Sequence, residues 1–303
     1  MFIGTYQPGV IIGVTDTGGT LAAVEAASPA GTVVHRDTVL FWMPSVAGDP
    51  ENYTTTYNTF PPEATVLRGL SLLNLPINAF SHLEPPGVSF YDSFTRNALR
   101  HPSLAGNDSG FVVPTNGIPF AHSCYPNAIC SANLLERTIE VRLTRPVAPL
   151  GAITLSYCPL NVGIDDRKSY LKQFHRIEHH DCPWGCDQLA NLRGGRKRAR
   201  FFQLYAEMDT VPNGGEFEIL VNSACRIASE QHLEPYLWPF LSNAELQARK
   251  NNFPGRGGIY RTLITLMENQ GGINHSSVEF ARRFEHNTFG LEDNQRVDGT
   301  TSI

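Results

Sequence analysis

Three stretches of this chain carry side chains fit for chemistry. The first is Cys182-Pro-Trp-Gly-Cys186 with His179 and His180 just upstream. Thiols and imidazoles so close together suit a tetrahedral zinc ion. Met1 to Val14 is partly apolar but lacks a basic leader and a clean cleavage site, so a cytoplasmic or nuclear setting is expected. Thiols there stay reduced, and metal ligation outranks a disulfide for Cys182 and Cys186. The second stretch is Ala121-His122-Ser123-Cys124-Tyr125-Pro126-Asn127. His122, Ser123 and Cys124 are all types used in nucleophilic catalysis, but side chains adjacent in sequence rarely face one another and no acidic orienter stands nearby. Hydrolysis is therefore not expected. The third is Gly151-Ala152-Ile153-Thr154-Leu155-Ser156-Tyr157, which ends on a phenol. A basic run, Gly194-Gly-Arg-Lys-Arg-Ala-Arg200, could meet phosphate or acidic peptide, but it lacks the interleaved aromatics of a nucleic-acid site and reads as a solvated helix face.

These stretches need elements to hold them. With 303 residues and 41% hydrophobic content the chain can build a sizeable core, and its net charge of −5 is too mild to imply a nucleic-acid or membrane partner. No apolar run approaches the roughly 18 residues that span a bilayer. Thr32 to Trp42, Thr138 to Thr144 and Ile153 to Tyr157 read as strands, with a turn at Pro149-Leu150-Gly151. Ala64 to Leu73 and Tyr91 to Arg100 read as short helices. Beyond residue 165 the apolar period becomes helical. Asp165 or Asp166 is placed to cap a helix carrying Tyr170, Leu171 and Phe174, and the basic run precedes a helical segment from Phe201 to Met208. Phe217, Leu220, Val221, Ala224 and Ile227 recur at helical spacing, as do Ile259, Leu263, Leu266 and Met267. Ser276 with Glu279 forms a capping box before a further helix that Gly290 would end. The chain is expected to divide near residue 188, into a β-rich domain and an α-helical one.

In their order and wording the motif stretches resemble the SET domain of SET-and-MYND-type lysine methyltransferases, over about residues 11 to 190. Ala121 to Asn127 resembles the family's Asn-His-Ser-Cys-x-Pro-Asn, and Gly151 to Tyr157 its Gly-Glu-Glu-Ile-Thr-x-x-Tyr. Phe94 to Leu99 and Gly110 to Pro114 resemble the two segments that precede the central motif, and Gly18-Gly19-Thr20 the opening glycine turn. The resemblance implies an α+β fold with a mainly β core: small β-sheets in a SET domain over residues 1–187, an insertion at about 45–115, a zinc-binding post-SET segment at about 165–187, and a helical domain over 188–303. No MYND finger is expected, since no cysteine precedes Cys124. The pattern is similar to the shorter SET proteins of filamentous fungi.

The resemblance also assigns roles. Tyr157 becomes the catalytic residue, whose hydroxyl orients the target amine, with Phe120 and Tyr125 as pocket walls. Gly18, Gly19, Asn97, Ala121, His122 and Tyr157 border the methyl donor S-adenosylmethionine. Cys124, His180, Cys182 and Cys186 hold zinc, His180 (or His179) standing where the family has a cysteine. Several positions depart from the pattern. Thr20 replaces a glycine, Ala152 replaces the acidic pair, and Ala121 replaces an asparagine whose side chain helps hold the donor's amino-acid end. With His180 as a ligand, Glu178 falls where an aromatic would stack on adenine. The expected function is protein-lysine methyl transfer; the alternative is a SET-like scaffold with a degenerate donor site, used as a non-methylating biosynthetic enzyme or as a binding module for a small molecule or protein.

Overall fold

The computed structural model describes residues 8–14, 20–44, 63–75, 81–83, 87–101, 110–133, 136–160, 163–177, 189–253, 256–271 and 282. Helix and strand are mixed, as α+β architecture requires. Packing divides the chain into two units, Met1–Asn191 and Leu192–Ile303.

The first unit is organised around β3 (Val33–Pro44), a long strand that changes partner halfway. Its first half pairs antiparallel with β8 (Thr138–Leu143), from Val33↔Arg142 to Thr38↔Thr138. Its second half pairs antiparallel with β5 (Gly110–Pro114), from Val39↔Pro114 to Pro44↔Gly110. Register shifts at Val33/His35 and Val39/Phe41 bend the strand, so the sheet curls. With β4 (Leu99–His101) and β7 (Ala128–Asn133) the sheet reads β4-β5-β3-β8-β7. Residues 99–114, inside the stretch expected to be an insertion, thus supply two of its five strands. Two further sheets are small: antiparallel β1 (Val10–Val14) with β2 (Thr20–Val24), and parallel β6 (Ala121–His122) with β9 (Thr154–Leu155).

Period-2 patterning explains β8. Ile139, Val141 and Leu143 are buried in the core with Val34, Ala128, Cys130 and Ile153, while Glu140 on the other face pairs with Arg36 and Arg142. Helix α1 spans Glu63–Leu72. Helix α2 (Phe90–Asn97) is capped by the Ser89 hydroxyl, which accepts from the Asp92 N–H at 3.1 Å. It was expected to run to Arg100, but Ala98 turns extended (φ −73°, ψ 123°) and Leu99 onward joins β5. Helix α3 (Ile164–Tyr170) continues into a π-helical turn, Leu171–His175. Its N-cap is Gly163 rather than an aspartate; Asp165 and Asp166 lie in the first turn, where they favour the positive helix end.

In the second unit, α4 (Leu189–Glu207) contains the basic run that the sequence placed ahead of a helix. Three of the run's four cations are engaged: Lys197 pairs with Glu230 and Arg200 with Glu207, while buried Arg198 donates from Nη2 to the Gln231 carbonyl at 3.3 Å. The expected stripe Phe217, Leu220, Val221, Ala224, Ile227 is buried along α5 (Gly214–Gln231), capped by Asn213. α6 (Glu234–Lys250) and α7 (Arg256–Gly271) complete the packing, with Leu263 and Met267 inside. Ser276, Glu279 and Gly290 lie outside the described residues. No described helix is long and apolar enough to cross a membrane.

Candidate functional site

The two central motif stretches, far apart in the chain, meet along a short parallel pairing, Ala121↔Thr154 and His122↔Leu155. The Ser123 N–H extends it by donating to the Leu155 carbonyl at 2.8 Å. Asn127 locks the junction. Its Nδ2 donates to the Ala152 carbonyl at 2.7 Å, and its Oδ1 accepts from the Thr154 N–H at 2.8 Å. The turn into the second stretch lies where the sequence placed it: Leu150 takes a left-handed φ of 60° and the Gly151 N–H returns to the Ala148 carbonyl at 2.9 Å. A Cβ on Gly151 would stand 2.6 Å from Val147 Cγ1 and 2.8 Å from the Ala148 oxygen, so only glycine fits. The strand leading to Tyr157 is shorter than expected, closing at Leu155.

Tyr157 leaves that strand because its N–H donates to Nδ1 of His122, at 3.1 Å. Its hydroxyl donates to the Phe120 carbonyl at 2.6 Å. The ring is stacked between His122 (6.1 Å between centroids) and His175 (5.3 Å), and His175 in turn faces Tyr170 at 5.9 Å. Phe174 packs on Tyr170 at 4.9 Å. Burial pushes the Tyr157 phenol well above its ordinary range, and the nearby Cys130 adds to the shift. The phenol therefore stays neutral at physiological pH. With its proton directed at Phe120, the oxygen keeps lone pairs to accept an N–H, so it can orient an amine but not deprotonate one.

The other assigned residues divide. Because His122 Nδ1 accepts, the imidazole proton sits on Nε2, which faces Cys124 Sγ at 3.4 Å. Asn97 turns its Nδ2 back to the Ser93 carbonyl of α2 at 2.8 Å. Phe120 is a core residue, edge-on to His35 at 5.9 Å, so its carbonyl and not its ring serves the site. Tyr125 is half-buried, its N–H on Ser123 Oγ at 3.0 Å. Gly18, Gly19, Glu178, His179, His180, Cys182 and Cys186 lie outside the described residues. Of the expected zinc ligands Cys124 alone is described, and its sulfur neighbours Nε2 of His122 and Sγ of Cys158, within 4.8 Å of one another. Cys158 and His175 had no role in the sequence reading; neither belongs to a spaced motif.

Toward S-adenosylmethionine, whose sulfonium is a cation, this group presents aromatic rings, the Phe120 carbonyl being already taken by the Tyr157 hydroxyl. At the amino-acid end Ala121 offers a methyl group and leaves the backbone to serve.

No family model matches the chain, and no curated protein matches it either.

Proposed function

We propose that the first unit is a SET-type domain that methylates a protein lysine with S-adenosylmethionine as donor. The supporting observation is the convergence of residues 121–127 and 151–157 on Tyr157, whose hydroxyl is held by Phe120 and whose ring is clamped by His122 and His175. The small, separate sheets agree with a SET-type architecture. S-adenosylmethionine, when bound, supplies an electrophilic methyl group on a sulfonium. Tyr157 accepts a hydrogen bond from the neutral lysine amine and aims its lone pair; positioning of this kind supplies a large part of such a rate. The amine must arrive already deprotonated, because the phenol cannot take its proton. The rings of His175, Tyr170 and Phe174 continue the aromatic lining away from Tyr157.

One observation favours a second reading, a SET-like scaffold that uses this site for another small molecule or a protein. Ala121 lacks the side-chain amide that the resemblance places on the donor's side. Calorimetric titration with S-adenosylmethionine and its demethylated product separates the two. In the first reading Tyr157→Phe lowers methyl transfer by orders of magnitude and leaves donor affinity unchanged, since the hydroxyl acts on the reacting geometry. Equal turnover of Tyr157→Phe and wild type would reject the assignment; no donor binding by either protein would transfer the case to the scaffold.

A further inference from the structure

Helix α3 gives way at Tyr170 to the π-helical turn Leu171–His175, where the Leu171 carbonyl accepts from the Arg176 N–H five residues on and from the Ile177 N–H at 3.1 Å. Arg176 closes the turn in the left-handed region, at φ 53° and ψ 30°. A π turn and a left-handed non-glycine residue each cost energy, and such backbone is concentrated at functional sites. In an unbroken α-helix five residues advance about 500°, which would leave His175 about 140° round from Tyr170. The wider π turn brings His175 back beside Tyr170, at 5.9 Å between ring centroids, while Phe174 keeps its own contact with Tyr170 at 4.9 Å.

We infer that the π turn makes His175 the positioning residue of Tyr157, by laying the flat face of its imidazole on the phenol ring. Tyr157 is restrained at three levels. His122 Nδ1 holds its N–H at 3.1 Å and the Phe120 carbonyl holds its hydroxyl at 2.6 Å. Its ring stacks on His122 at 6.1 Å and on His175 at 5.3 Å, 27° from parallel. Residues 120–122 supply all of these contacts but the nearer ring, which comes from the π turn.

The phenol oxygen is the far end of this side chain, so a small tilt at the Cβ displaces it most. A misplacement of 1 Å at a reacting centre can cost about 100-fold in rate. His175 therefore acts on the transfer step and leaves donor binding alone. It acts through its ring face, so a phenyl ring can replace it and a branched aliphatic cannot. The kinetic consequence rests on the methyl-transfer reading; the ring contact does not.

The test uses the full chain with His175→Ala, His175→Leu and His175→Phe, and Lys172→Ala as an exposed control in the same turn. Tyrosine rings are labelled with carbon-13, and the Tyr157 signal is assigned by its loss in Tyr157→Phe. Stacked neighbours shift that signal by their ring currents. Wild type, Lys172→Ala and His175→Phe should keep it shifted, while His175→Ala and His175→Leu should move it toward the position of free tyrosine. Methyl transfer is followed with labelled S-adenosylmethionine and a pooled peptide library carrying a central lysine. His175→Ala and His175→Leu should lower kcat about 10- to 100-fold with donor Kd unchanged, and His175→Phe should stay within about threefold of wild type. An unmoved Tyr157 signal in the Ala and Leu variants overturns the proposal. So does a His175→Phe protein that keeps the signal yet turns over as slowly as His175→Leu, since the nitrogens would then be what acts. If His175→Ala fails to fold, the Leu and Phe pair decides. If wild type transfers no methyl group, the methyl-transfer reading falls and the Tyr157 signal alone decides whether His175 holds that ring.

Discussion

Asn127→Ala tests the clasp between the motif stretches. Asn127 is buried and satisfies two backbone groups at once, the Ala152 carbonyl at 2.7 Å and the Thr154 N–H at 2.8 Å. Truncation leaves both without their partner. A buried polar group stripped of its partner costs about 1–3 kcal/mol, so the pair sets a range of about 2–6 kcal/mol. Single substitutions beyond about 4–5 kcal/mol are exceptional, and partial entry of water places the expected loss near 3 kcal/mol. Urea denaturation followed by circular dichroism measures it, and hydrogen exchange at the Thr154 amide locates it. That amide should lose protection while those of Val141 and Leu143, in the central sheet, lose less. Asn127→Asp offers an internal check. The carboxylate can still accept from Thr154, but it turns an acceptor toward the Ala152 carbonyl, so its penalty should shrink as the pH falls and the acid regains an O–H to donate. A control, Asn251→Ala at an exposed helix end, should cost under about 0.5 kcal/mol. If Asn127→Ala behaved like that control and Thr154 stayed protected, the reasoning would be wrong.

Other outcomes follow from the same geometry. Gly151→Ala forces a Cβ to within 2.8 Å of a backbone oxygen that cannot swing away, and should cost about 1–3 kcal/mol, seen as a lowered melting temperature. The Cys130 thiol is pushed up to about 12 by burial, aided by the charge of Asp37, from an ordinary 9.0. Its folded value exceeds its unfolded one, so its contribution to stability is complete below pH 9 and declines by about 1.4 kcal/mol per pH unit as the pH rises toward 12. Cys130→Ala should flatten that alkaline slope in denaturation midpoints; an unchanged slope contradicts the assignment. Ala121→Asn places a side-chain amide at the proposed donor site, worth about 1–3 kcal/mol, and should tighten S-adenosylmethionine binding roughly 5- to 150-fold by calorimetry. No gain, or micromolar affinity in the unmodified protein, would show that the amide is not what the site lacks.

What could be read beforehand follows from how local each signal is. The alternation in β8 and the helical stripe of α5 depend on residues within one element, so their buried faces were legible from period alone. The turn at Leu150 and Gly151 was legible for the same reason. The end of α2 was not, because Leu99 leaves the helical pattern to pair with Val112, a partner supplied by distant chain. Nor was the end of β9: nothing in Ser156-Tyr157 announces that a histidine ring 35 residues upstream will take the Tyr157 N–H in place of a strand partner. The motif stretches could be singled out in the sequence, but the work of Asn127 and the proximity of Cys158 to Cys124 exist only once those stretches are side by side.

The change of partner along β3 bears on how the chain is made. Val33 must wait for Arg142, and Pro44 for Gly110, before either half of the strand is paired. At about 5–20 residues per second of synthesis, the first of these waits lasts on the order of 5–20 s. Val34 waits that long for its partner strand and Val39 and Phe41 wait until residues 110–114 are made, though all three are destined for the interior. The nascent chain thus exposes an apolar strand with open edges for many seconds, the kind of segment that a chaperone engages, and slow elongation between residues 44 and 142 would lengthen that exposure.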